Sequence, residues 1–302
     1  MTVEIQRHGW PFCFMRKTYT WSLPRTRVSL GNRTVVMGIL NVTPDSFSDG
    51  GKYLDVNAAL ARALEIQDQG ADVLDIGGES SRPGSVPVPE QEELRRILPV
   101  IETLSGKLSI PISVDTWRSQ VARKAIDAGA QIVNDISAFR FDPEMAGVIR
   151  NANAGVILMH SRGSREELHN QPPMKDPAGE VLRELQASVH RATDAGIQRS
   201  AMVVDPGIGF GKSAEESLIV LRKLQALSQL EYPLLIGTSR KSFLRKIVSN
   251  GPMTDGNDRL WGTAATIAYA ILHGAHIVRV HDVAEIRPFV DTLDVMGVMD
   301  AL

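Results

Sequence analysis

Short apolar runs that break off into polar residues recur along the chain, and this recurrence predicts its architecture. Val35-Val36-Met37-Gly38-Ile39-Leu40 ends in Asn41 and opens into the loop Val42-Thr43-Pro44-Asp45-Ser46-Phe47-Ser48-Asp49-Gly50-Gly51. The same change occurs at Val73-Leu74-Asp75-Ile76-Gly77, Ile112-Ser113-Val114-Asp115, Ile132-Val133-Asn134-Asp135 and Val156-Ile157-Leu158-Met159-His160. It returns at Met202-Val203-Val204-Asp205, Leu234-Leu235-Ile236-Gly237-Thr238 and Ile277-Val278-Arg279-Val280-His281. Runs of this length, bounded by turn residues, predict buried strands.

Helical patterns lie between the strands. After Asp55, which suits an N-cap, Val56, Ala59, Leu60, Ala63 and Leu64 mark one face of a 3.6-residue period. Gly70 stops that helix, and Gly129 and Gly274 repeat the succession helix, Gly, Ala, strand. Strands without polar alternation, each followed by a helix, predict a parallel sheet covered by helices. Eight of them predict a closed α/β barrel of the (β/α)8, or TIM barrel, class, with the active site at the C-terminal strand ends. An open doubly wound sheet would instead gather its polar strand ends at one switch point, and here nearly every strand has them.

Residues 1–33 read as a lead-in, expected to form a short hairpin at the barrel bottom, and residues 34–302 as the barrel domain. A length of 302 residues suits one such domain. The formal charge of −2 gives no broad basic field, which argues against a nucleic-acid partner. Cys13 has no second cysteine to pair with, and no apolar run is long enough to span a membrane, so a cytoplasmic location is expected.

The polar strand ends supply candidate chemistry. Asp115, Asn134 and Asp205 end three strands, and a barrel brings them to one mouth. Two carboxylates and an amide match a flat heterocycle edged with N–H, NH2 and C=O groups; each carboxylate could equally cap a turn or the following helix. Arg279 and His281 lie two apart on a strand and therefore face one way, which suits an anion, and Asn41 joins them where the first strand meets the eighth. An amide oxygen is an acceptable hard ligand for Mg2+. Gly207 to Ser213 fails as a nucleotide loop on spacing, since Gly207 and Gly211-Lys212-Ser213 enclose three residues where four are needed. It reads better as a tight loop presenting Phe210 at the mouth. Thr238-Ser239-Arg240-Lys241-Ser242 opens a helix whose free N–H groups could receive a carboxylate, or it could be a solvated basic face.

Seven blocks in unbroken order carry a family resemblance: Asn41 to Gly51, Asp75 to Gly84, Ser113 to Thr116, Asn134 to Ile136, Asp205 to Lys212, Gly237 to Phe243 and Arg279 to Val283. Together they resemble dihydropteroate synthase. The resemblance implies a folate-pathway transferase joining 6-hydroxymethyl-7,8-dihydropterin pyrophosphate to p-aminobenzoate, with Mg2+ as cofactor and a homodimer as the assembly. It assigns Asp115, Asn134, Met159, Asp205, Phe210, Gly237 and Lys241 to the pterin, and Asn41, Arg82, Arg279 and His281 to the pyrophosphate, with Asn41 also on the metal. It assigns Phe47, Ser81, Arg82, Pro83, Phe210, Lys241 and Ser242 to p-aminobenzoate, and the chemistry to Asp115, Lys241, Arg279 and His281. The family commonly has Thr where this chain has Ser81, which keeps the hydroxyl and loses a methyl. A methyltransferase acting on methyltetrahydrofolate shares the fold and pterin carboxylates, but needs neither the Arg279/His281 pair nor the Ser81-Arg82-Pro83 loop. A non-catalytic pterin binder should have lost Asn41, Asp115, Lys241 or Arg279, and all are present.

Overall fold

A computed structural model describes residues 16–43, 56–80, 85–168, 170–244 and 256–298. Asp55, Phe47, Ser81, Arg82 and Pro83, singled out above, lie outside the described residues.

An antiparallel hairpin, β1 (Tyr19–Ser22) and β2 (Arg27–Leu30), comes first. Eight parallel strands follow: β3 (Val35–Asn41), β4 (Val73–Gly77), β5 (Ile112–Asp115), β6 (Ile132–Asp135), β7 (Gly155–Met159), β8 (Met202–Asp205), β9 (Leu235–Ile236) and β10 (Ile277–Val280). Their order is β8-β7-β6-β5-β4-β3-β10-β9, and one bridge between Val204 and Leu234 joins the two ends into a barrel. The described helices between them are α1 (Val56–Asp68), α2 (Glu90–Leu104), α3 (Ser119–Ala128), α4 (Met145–Ala152), α5 (Pro177–Asp194), α6 (Ala214–Arg222), α7 (Gly256–Leu272) and α8 (Val283–Val298). The predicted eight strands and barrel class match this architecture. Gly70, Gly129 and Gly274 end their helices at φ of +95°, +126° and +101°, the left-handed region that L side chains disfavour.

Strand alternation divides the barrel into two environments. Outward residues such as Val36, Leu74, Ile76, Val114, Val133, Val156, Leu158 and Val204 pack beneath the helices in the main core. Inward residues at the N-terminal strand ends, Val35, Val73, Ile132, Ile157, Val203, Leu235 and Ile277, form a separate apolar plug with Trp21, Leu23 and Leu30 of the hairpin. Trp21 is fully buried and its indole donates to Ala201 O at 2.9 Å. Such a group is stable inside only because its N–H has a partner. The same inward rows turn polar one or two residues on, at Asp75, Ser113, Asn134, Asp205 and Arg279. A dry floor thus supports a polar chamber at the C-terminal end.

Candidate active site

The chamber opens into a cavity of about 770 Å³. Every candidate residue within the described segments lines it: Asn41, Asp115, Asn134, Met159, Asp205, Phe210, Gly237, Lys241, Ser242, Arg279 and His281. Strand register explains the convergence. Asp115 is paired with Asn134, Met159 with Asp205, and Arg279 with Met37, four residues before Asn41 on the same strand. Each side chain therefore sits at a strand end and on the inner face.

Arg279 organises the floor. Its Nε donates to Asp75 at 2.6 Å and its Nη2 to Asp115 at 2.7 Å. Sequence reasoning gave Arg279 to an anion alone; two carboxylates also hold it. Among the described residues these are its only acceptors, which leaves Nη1 for a ligand. Asp75, which sequence reasoning did not assign to the site, is fully buried and also accepts from Asn134 Nδ2 at 3.1 Å. The available signal was a carboxylate in mid-strand on the inner face, where an unpaired charge is costly and a partner is required.

The acids are tuned by burial. Loss of hydration pushes the Asp115 carboxyl up to about 7 although Arg279 opposes the shift. Burial likewise raises Asp205 to about 6 against the N–H of Gly207, which donates to its Oδ1 at 2.7 Å. Asp205 thus partly fulfils the turn-capping alternative while still facing the cavity. Asp135 does so entirely: it points outward, accepts from Ser137 and Phe139 N–H at 2.7 Å each, and lies outside the cavity lining.

An apolar wall completes the pocket, with Ile136, Met159, Leu168 and Phe210 forming a small buried cluster. Lys241 Nζ lies 3.7 Å from the centre of the Phe210 ring, a cation–π contact that places the ammonium at the mouth. Ser239, also missed in the sequence, holds His281: its Oγ is 3.0 Å from Nδ1 and accepts from His281 N–H at 3.2 Å. Arg240 adopts φ +57° and is ion-paired with Asp282, so the β9 and β10 loops are fastened beside Lys241 and Ser242. On the opposite rim Glu79 accepts from Arg118 at 2.7 Å and from Arg165 at 2.6 Å. No cluster of three or more His, Cys, Asp or Glu residues able to hold a metal ion occurs among the described residues.

Residues 37–281 match the model of the pterin binding enzyme family. The dihydropteroate synthase of Synechocystis sp. is 47% identical over 259 residues, covering 86% of this chain and 89% of that protein. The chain belongs to the dihydropteroate synthase family. The Bacillus subtilis dihydropteroate synthase is 45% identical, covering 89% of this chain and 90% of its own length. Among solved structures, Xanthomonas albilineans dihydropteroate synthase with 4-aminobenzoic acid superposes with a TM-score of 0.84 at 39% identity, covering 95% of this chain and all of that one (100%). Membership in the dihydropteroate synthase family agrees with the resemblance in the seven motif blocks.

Proposed function

We propose that this chain condenses 6-hydroxymethyl-7,8-dihydropterin pyrophosphate with p-aminobenzoate, giving 7,8-dihydropteroate and pyrophosphate in folate biosynthesis. One observation carries the reading: a single cavity joins an amide-and-carboxylate floor suited to a pterin edge to a cation-bearing rim suited to a leaving anion. The enzyme from X. albilineans has been solved in complex with 7,8-dihydropteroate and superposes here with a TM-score of 0.77 at 40% identity.

In this reading Asp115, Asn134 and Asp205 bind the pterin edge, Met159 and Phe210 flank the ring, Gly237 lets it approach the backbone, and Lys241 reaches its polar side. Arg279 Nη1, His281 and Asn41 receive the pyrophosphate. Ser242 and Lys241 meet the p-aminobenzoate carboxylate, with Phe47, Ser81, Arg82 and Pro83 assigned to its ring and Arg82 also to the pyrophosphate. The aniline nitrogen forms a bond to the methylene carbon, the C–O bond from that carbon to pyrophosphate breaks, and the amine proton passes to water. Ionised Asp115 stabilises the positive charge that develops on the methylene and pterin, while Arg279 withdraws charge from the leaving group.

The donor set suits Mg2+ as a substrate-borne ion. Asn41 offers one amide oxygen near no acidic cluster among the described residues, so phosphate oxygens and waters would complete the shell. Bound there, the ion would neutralise charge on the departing pyrophosphate. We assign the protein to the cytoplasm, with no membrane partner, as a homodimer. Exposed Trp261, Val295 and Met296 on α7 and α8 support that assembly. Light scattering would reveal it. Incubation with the pterin pyrophosphate, p-aminobenzoate and Mg2+ should yield dihydropteroate, and absence of product would refute the activity.

A further inference from the structure

The β8 loop runs from Asp205 to the start of α6 and lines the cavity with Asp205, Gly207, Ile208, Gly209 and Phe210, of which Asp205 and Phe210 are the two assigned to the pterin. Its backbone is unusual. Gly207, Gly209 and Gly211 take φ of +62°, +81° and +63°. A Cβ on Gly207 would fall 1.9 Å from His160 O, and one on Gly211 would lie 2.8 Å from Arg162 Cβ, so the loop is pressed against the end of β7. A loop bent this tightly turns carbonyls inward, and each requires a donor.

Lys212 provides it. Its Nζ donates to Gly207 O at 2.9 Å and Phe210 O at 3.1 Å, and lies 2.7 Å from His160 Nδ1 and 3.4 Å from His160 O. One ammonium thus spans the loop that holds Asp205 and Phe210. The next residue, Ser213, caps α6 through a reciprocal pair with Glu216, so the loop is fixed at its far end as well.

We propose that Lys212 is the positioning residue of the pterin pocket, holding Asp205 and Phe210 in binding geometry, and that His160 and Glu184 keep its proton in place. The arrangement is self-consistent. His160 is buried, and loss of hydration pulls its pKa down to about 4, so the ring carries a single proton at neutral pH. With the ammonium donating to Nδ1, that proton sits on Nε2, 3.1 Å from the half-exposed Glu184 carboxylate though off a straight hydrogen-bond line. Glu184 then balances the buried charge through the ring. Burial lowers the Lys212 ammonium to about 7; Asp205 on β8 and Glu184 on α5 oppose this, and Lys241 of the β9 loop and Arg162 of the β7 loop add to it. Arg140 of the β6 loop adds to the depression at His160. Loss of the Lys212 proton would remove one of three donated bonds and free the loop.

The inference rests on the proposed pterin site, and calorimetry with 6-hydroxymethylpterin separates the two. Wild type should bind the probe; no binding would refute the pterin assignment and this inference with it. Lys212→Met should weaken the probe at least about tenfold, the equivalent of one charge-assisted hydrogen bond, with KM for the pterin substrate rising more than kcat falls. Lys212→Arg, charged at every working pH, should recover most of the affinity. Wild-type affinity should fall on the alkaline side of about 7, that limb should move to lower pH in Glu184→Gln, and it should vanish in Lys212→Arg. Glu184 is exposed enough for its variant to fold whether or not Lys212→Met does. Equal pterin affinity in Lys212→Met and wild type, or an alkaline limb unmoved in Glu184→Gln, would overturn the inference.

Discussion

Replacing Arg279 by Met removes the cation shared by Asp75 and Asp115 and retains much of the side-chain volume. Two contacts vanish, at 2.6 and 2.7 Å. Breaking a buried ion pair from one side costs about 3–5 kcal/mol because the partner charges remain. Asp75 is fully buried, whereas Asp115 is 21% exposed, which favours the lower end of that range. The cost should depend on pH. Burial already raises the Asp115 carboxyl from 3.8 to about 7, so its contribution favours the fold below 3.8 and is lost as pH climbs through about 7. Without Arg279 the carboxyl rises further, and the loss continues at higher pH. Thermal unfolding should therefore separate variant from wild type less near about pH 5, where the Asp75 contact alone is at stake, than near about pH 8.5, where the difference should reach about 6–10 °C. Pyrophosphate affinity should fall by about 2–5 kcal/mol, measured calorimetrically with Mg2+. A Tm difference that does not change with pH, or pyrophosphate bound as tightly as by wild type, would refute the reasoning.

Asp205→Asn should weaken a pterin by about 1.5–3 kcal/mol, because a charged acceptor becomes a neutral amide; unchanged affinity by calorimetry would remove Asp205 from the pterin site. Trp21→Ala should cost about 3–5 kcal/mol of stability in denaturant titration, while kcat in the folded fraction stays near the wild-type value because the hairpin packs at the opposite end from the cavity. A sulfonamide should bind poorly to the free protein and well once pterin and Mg-pyrophosphate are present, since the p-aminobenzoate ring is assigned to Phe47, Ser81, Arg82 and Pro83 and the pyrophosphate supplies the negative charge that suits Arg82; equal affinity in both titrations would show a preformed pocket.

The barrel was legible because each strand announces itself twice, as an apolar run and as the polar residue that ends it. Position at the strand ends, which a barrel gathers at one mouth, then places Asn41, Asp115, Asn134, Asp205 and Arg279 together without any knowledge of distance. Partners were less legible. Asp75 sits two residues before its strand ends and looks like part of the run, and only the closed barrel sets it against Arg279 across β3. Ser239, Glu79 and Lys212 act through contacts between neighbouring loops, with His281, Arg165 and His160, at separations of 42, 86 and 52 residues. No periodicity encodes such pairs, because loop paths follow from packing and not from a repeat. The spacing of Gly207 to Gly211 predicts a tight loop, and the positive φ values agree; the internal donor, Lys212, depends on packing that spacing does not encode.

The hairpin has a mechanical meaning for a cylinder that is unevenly zipped. β8 and β9 share one bridge, whereas the other neighbours share continuous ladders. Around that seam Trp21 holds Ala201 just before β8, His276 beside β10 contacts Lys17 O at 3.0 Å and receives Leu234 N–H at 3.1 Å, and Arg16 ties Ala275 O to Asp294 of α8. Synthesis delivers the N-terminal segment first and β9 and β10 last. A segment made before any barrel strand is thus the clasp for the closure completed latest, and a nascent chain carries the means of shutting its barrel before the final staves exist.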